Sequence, residues 1–149
     1  MQLTPHFWLR EFTESSTARD LGIDNSPSPT HLANLKQLAQ TLEQVRALLG
    51  HPVFISPGYR SPKLNAALAN SSSTSDHMNG LAADISCPGY GTNLEVAQTL
   101  AASDIKFDQL IYEQGQHTTW VHLGIGSRMR QEVLSWKSGK GYVRGVRKL

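Results

Sequence analysis

Ser75-Asp76-His77-Met78-Asn79-Gly80-Leu81-Ala82-Ala83-Asp84 is the stretch around which the 149-residue chain is organised. It sets an imidazole and a carboxylate seven residues apart, two of the groups that hold Zn²⁺ through nitrogen and oxygen. Residues seven apart on one straight strand point to opposite faces, so a turn is required between them. Asn79-Gly80 is a strong turn signal, and the small residues after it let the backbone pass close to a metal. A third ligand has to come from elsewhere. His122, in the alternating segment Trp120-Val121-His122-Leu123, offers one. Two imidazoles and one carboxylate leave a fourth position open for water, the catalytic rather than the closed structural pattern.

Outward from this stretch, the chain alternates helical and strand-like segments. Residues 1–29 carry Phe7, Trp8 and Phe12, a polar Ser15-Ser16-Thr17 able to cap a short helix, and a proline-containing loop from Asp24 to Pro29. The aromatics read as a lid on the core. Thr30 is the expected N-cap of a helix to Leu49, stopped by Gly50, with Leu32, Leu35, Leu38, Ala39, Leu42, Val45 and Leu49 on one apolar stripe. A strand is expected over Val53 to Ser56, then a helix capped by Ser61-Pro62. Thr92 and Glu95 form a capping box for a helix to about Ala102. Phe107 to Tyr112 and Trp120 to Ile125 read as a hairpin that brings Glu113 near His122. Gln131 to Trp136 and Tyr142 to Val146 suggest a further hairpin at the sheet edge. The pattern predicts one α+β domain over 1–149, a small antiparallel sheet with helices packed on one side.

Composition limits the function classes. Basic and acidic residues number 14 and 12, so nothing overall demands a polyanionic partner. Positions 127–149 form a basic extension, with Arg128, Arg130, Lys137, Lys140, Arg144, Arg147 and Lys148 against Glu132 alone. It reads as a solvated hairpin or as a surface for an acidic envelope. No groove-reading motif accompanies the charge, and no specific nucleic-acid partner is expected. Cys87 is the single cysteine, which excludes an intrachain disulfide. The first twenty residues hold Pro5, Arg10, Glu11, Glu14, Arg19 and Asp20, so no signal peptide is expected, and no segment is apolar enough to insert in a membrane. The expected place of synthesis is the cytoplasm.

Ser75-x-His77-x-x-Gly80-x-Ala82-x-Asp84 followed by Trp120-x-His122 resembles the zinc D-Ala-D-Ala carboxypeptidase family, grouped with lysostaphin-type peptidases and the hedgehog domain. Ser56-x-Gly58-Tyr59-Arg60-Ser61-x-x-Leu64-Asn65 is similar to the segment carrying that family's substrate-binding arginine. The likeness covers residues 1 to 125 and extends to phage-encoded members. It implies a hedgehog/DD-peptidase-like fold, one Zn²⁺ on His77, Asp84 and His122, and substrate binding by Arg60 and Ser75. It also implies a monomeric peptidase of peptidoglycan stem peptides, of the D-Ala-D-Ala or L-Ala-D-Glu type. Such a phage or prophage hydrolase would reach the cell wall after release by a separate protein, or in a virion. Related enzymes place an acid or a His just before the last ligand, where this chain has Thr119 and Trp120. The general base is therefore Glu113 at a strand end or His117 in the loop. Asp76 is read as pairing with Lys63 or facing solvent, and Tyr59 as core or as a stacking surface. The other reading is a zinc-containing module that binds wall peptide or a protein without cutting it.

Overall fold

A computed structural model describes residues 1–68 and 76–149. The chain opens with a two-stranded ribbon, β1 (Gln2–Thr4) and β2 (Phe7–Trp8), then two short helices, α1 (Leu9–Thr13) and α2 (Ser16–Leu21). Helix α3 (Pro29–Leu49) leads to β3 (Phe54–Ser56), α4 (Pro62–Ala67), α5 (Asp76–Asn79) and β4 (Ala82–Ser86). Helix α6 (Asn93–Ala101) precedes β5 (Gln109–Gln114), β6 (Thr119–Gly124), β7 (Glu132–Lys137) and β8 (Gly141–Arg144). The α+β expectation holds.

Local chemistry explains the helices. The cap of helix α3 lies two residues before the expected Thr30: Ser28 takes that place, its hydroxyl accepting from His31 N at 3.2 Å, and Pro29 is the first helical residue. Proline suits that place because its missing N–H would have no partner there and its φ is already helical. The expected stripe is in place, with Leu35, Leu38, Ala39, Leu42, Val45 and Leu49 buried. Thr92 and Glu95 form the predicted reciprocal box at the start of α6.

Strands β3 to β8 make one six-stranded sheet in the order β3-β4-β6-β5-β7-β8. It departs from the all-antiparallel expectation at one place, for β7 runs parallel to β5. Residues 125–131 cause this by carrying the chain from the end of β6 across the start of β5 to its other side. Asp108, 2 % exposed, clamps the crossing by accepting from Arg130 N at 3.0 Å and from its guanidinium at 2.8 and 3.0 Å. Met129 and Gln131 take left-handed φ values of 40° and 53°, a conformation the ion pair and the Gln131 side-chain bonds to Phe107 N and Ile105 O hold in place.

Alternation gives the sheet two faces. Ala83, Ile85, Leu110, Tyr112, Val121 and Leu123 point into a core shared with α3 and α6. Asp84, Glu113, Trp120, His122, Trp136 and Tyr142 share the opposite face, because the register pairs Asp84 with His122, Glu113 with Trp120 and Trp136, and Trp136 with Tyr142. Cys87 falls on the core side, its thiol directed at His51 O (3.7 Å). The aromatics of 1–29 divide: Phe7 and Phe12 are built into the core, while Trp8 is exposed. Among the described residues no helix is long and apolar enough to cross a membrane.

Candidate metal centre

Each of the three metal-binding candidates is placed by a different local device. His77 sits in the single helical turn α5, where the sequence pointed only to a turn at Asn79-Gly80. Gly80, at φ +74°, ends that turn and sends the chain into β4, and Leu81 N donates to Asp76 O at 3.0 Å to close it. Asp84 lies mid-β4, paired on one side with Ser56 and on the other with His122 of β6. The strand pairing therefore sets Asp84 and His122 side by side, and the α5 turn lowers His77 onto them.

The resulting geometry is tight. Asp84 Oδ1 is 3.2 Å from His122 Nδ1 and 3.6 Å from His77 Nε2, and the two imidazole centroids are 5.2 Å apart. One donor atom from each residue lies within 4.8 Å of the others. Donors bound tetrahedrally at about 2.0–2.2 Å stand about 3.3–3.6 Å from one another, so this set fits one zinc-sized ion. Gly58 shapes the cradle: a Cβ there would lie 2.6 Å from His77 Nδ1. Burial alone would raise the pKa of Asp84, but hydrogen bonds and charge from His122 and His77 hold it well below the usual carboxylate range.

Two cavities of about 610 Å³ each border the triad, one lined by His77 and Asp84 and the other by His122. The first is walled by residues 14–17 and Arg19 around α2, by Pro57 to Arg60, and by His77 and Asp84. Residues 14–17 and 19 of the N-terminal segment thus wall a cavity. The second holds His122, Glu113, Asp76, Asp108, Arg128, Arg130 and Tyr142. Glu113 is half-buried there. Its pKa is raised chiefly by burial; the charge of Asp84 pushes the same way, while the two histidines and a hydrogen bond with the Trp120 side chain pull it down.

Arg60 lines the first cavity, and its backbone N–H donates to His77 O at 3.3 Å. A residue not singled out in the sequence, Asn25, brackets it. The Asn25 amide donates to Thr13 O (2.9 Å) and Tyr59 O (3.0 Å), and its oxygen accepts from Ser61 N (2.8 Å). An Asn in a polar loop carries no periodic signal, which is why only coordinates reveal it. Asn25→Ala strands the Ser61 N–H and the Tyr59 carbonyl at a cost of about 1–3 kcal/mol. The expected result is a lower melting temperature and, below it, a raised KM at full zinc content, checked by thermal melts, steady-state kinetics and metal analysis.

The remaining sequence candidates separate. Tyr59 is buried, with its hydroxyl 2.8 Å from His31 Nδ1, and acts as packing beside Arg60. Asp76 is half-buried in the wall of the second cavity, its Oδ2 3.0 Å from where a Cβ on Gly126 would stand, on the His122 side rather than paired with Lys63. His117 is exposed at the hairpin tip beyond the last pair, Gln114 with Thr119, and lines neither cavity. Ser75 lies outside the described residues. Asp76, Trp136 and Tyr142 were missed as site neighbours. Alternation of Trp136 with Leu134, and the Gly139-Lys140-Gly141 turn, were the signals that could have placed the last two together.

The model of the peptidase M15 family matches residues 5–124, which hold all three converging side chains and end at the last residue of β6. No curated protein matches the chain significantly.

Proposed function

Because the chain belongs to the peptidase M15 family of zinc-dependent metallopeptidases, we propose that it hydrolyses peptidoglycan stem peptides, at a D-Ala-D-Ala or an L-Ala-D-Glu bond. The observation that supports this reading is the convergence of His77, Asp84 and His122, with one cavity bordering His77 and Asp84 and a second bordering His122. A peptide laid across the triad would have its scissile bond there and one flank in each cavity. In this reading the enzyme is a monomeric cell-wall hydrolase of the kind phages and prophages deploy, delivered by release or in a virion.

His77, Asp84 and His122 would hold one Zn²⁺, which when bound supplies Lewis acidity to a carbonyl and acidifies water. Glu113 is the general base. Its carboxylate accepts a proton from the attacking water and returns it to the nitrogen that leaves. The raised pKa suits both halves of that task, since a carboxylate of ordinary acidity is a weaker base. Arg60 presents a two-pronged, permanently charged donor to a substrate carboxylate or to the scissile carbonyl. Asn25 braces the chain on either side of Arg60, through Tyr59 O and Ser61 N, and Arg60 lines the cavity that also holds His77 and Asp84.

Mass spectrometry of peptidoglycan fragments after digestion, with and without a chelator, tests the proposal. The expected result is release of fragments cut at one stem-peptide bond, abolished by chelator and restored by zinc. Intact stem peptides after exposure to zinc-loaded protein would end the assignment, and binding without cutting would favour the non-catalytic module.

A further inference from the structure

Across the open face of the sheet runs a row of rings that metal chemistry does not explain. Trp120 on β6 and Trp136 on β7 flank Glu113 of β5 in register, and Tyr142 on β8 pairs with Trp136. Ring centroids are 6.5 Å apart from Trp120 to Trp136 and 6.4 Å from Trp136 to Tyr142, with planes tilted by 47° and 48°. Tyr142 keeps 61 % of its surface exposed, and both tryptophans are half-buried. The family match ends at Gly124, so Trp136 and Tyr142 belong to a part of the chain it does not cover.

We propose that Trp120, Trp136 and Tyr142 form a saccharide-binding row that seats the glycan strand bearing the stem peptide. This deepens the peptidoglycan reading and rests on it. Three observations select the occupant. First, the row starts two residues from His122 and beside Glu113, so a ligand anchored by its peptide at the triad runs directly onto it. Second, rings with apolar faces and polar rims match a pyranose, whose axial C–H groups need an apolar face while its hydroxyls need donors and acceptors at the edge. The Glu113 carboxylate and the Tyr142 phenol supply that edge, and the charge of Glu113 contributes to the raised pKa of Tyr142 after burial. Third, Arg144 is exposed on the same face two pairs beyond Tyr142, in a basic segment suited to the carboxylates of wall polymer. Cross-strand ring packing by itself would stabilise the sheet and leave sugars unbound.

Glycan strands freed of their stem peptides are the probe, titrated against the full chain by calorimetry, with melting temperatures recorded in parallel. Wild type is expected to bind them. Tyr142→Ala should weaken binding at least about tenfold with little change in melting, because an exposed ring contributes little to the core, and Tyr142→Phe should keep most of the affinity. Affinity should survive added salt, since ring stacking is not screened as ion pairs are. Absence of binding by wild type, equal binding by Tyr142→Ala, or affinity lost entirely to salt would each overturn the proposal. The two readings fail separately: glycan binding without peptide cleavage removes the peptidase assignment, and cleavage without glycan binding removes the row.

Discussion

Gly58→Ala should strip the protein of zinc while leaving it folded. An added Cβ would stand 2.6 Å from His77 Nδ1 and 2.9 Å from Cε1, closer than non-bonded carbon and nitrogen atoms approach. The nearest atoms belong to a ring on rotatable bonds, so the ring swings away and the backbone stays. His77 Nε2 then leaves its place 3.6 Å from Asp84 Oδ1, and one of three ligands is lost. Displacing even a group that merely orients a ligand weakens metal binding about 10–100-fold, so loss of the ligand itself should exceed that. Gly58 has no left-handed φ, so alanine imposes no backbone strain there and restricts the unfolded chain. Melting of the metal-free variant should therefore match metal-free wild type. Zinc retained after dialysis against a competing chelator is the measurement, and wild-type retention would show that His77 is not a ligand.

Glu113→Gln should lower kcat by about 10²–10⁴-fold, the range a positioned general base contributes. The amide keeps the shape of the carboxylate and its place beside Trp120, so zinc content should hold. The pH profile carries the same information. Glu113 must be ionised to take a proton, and its pKa is raised, so activity is present above that raised value and lost as pH falls through it. Keeping a buried carboxylate ionised costs the folded state stability at neutral pH, so Glu113→Gln should melt no lower than wild type. His117→Ala, at the exposed hairpin tip, is the comparison: kcat within about twofold of wild type is expected, since exposed sites away from a cavity contribute little. Equal losses for both variants would remove Glu113 from the proposed role.

Much of this arrangement was legible in the residues themselves. His77, Gly80, Asp84 and His122 carry the site because their spacing requires a turn and a return strand, and the sequence supplies both. The Thr92–Glu95 box and the leucine stripe of α3 are local signals, and local structure obeys them. The α3 start was displaced because Ser28 and Thr30 are both hydroxyls and only Pro29 decides between them. The parallel strand β7 was not legible, since no periodicity announces a crossing held by Asp108, Arg130 and two left-handed residues. The direction of Asp76 and the bracing by Asn25 are likewise products of long-range packing.

The crossing segment has a bearing on how the chain could be divided. By laying β7 against β5, it leaves the strand that carries Glu113 hydrogen-bonded on both flanks. The terminal Leu149 reinforces this, donating from its N–H to Gln114 Oε1 and accepting from Lys137 Nζ. A fragment cut after Gly124 would keep every proposed ligand yet bare one whole side of β5, a row of unpaired amides open to edge-to-edge association with other copies. Residues 125–149 thus shield the strand that carries Glu113 from self-association.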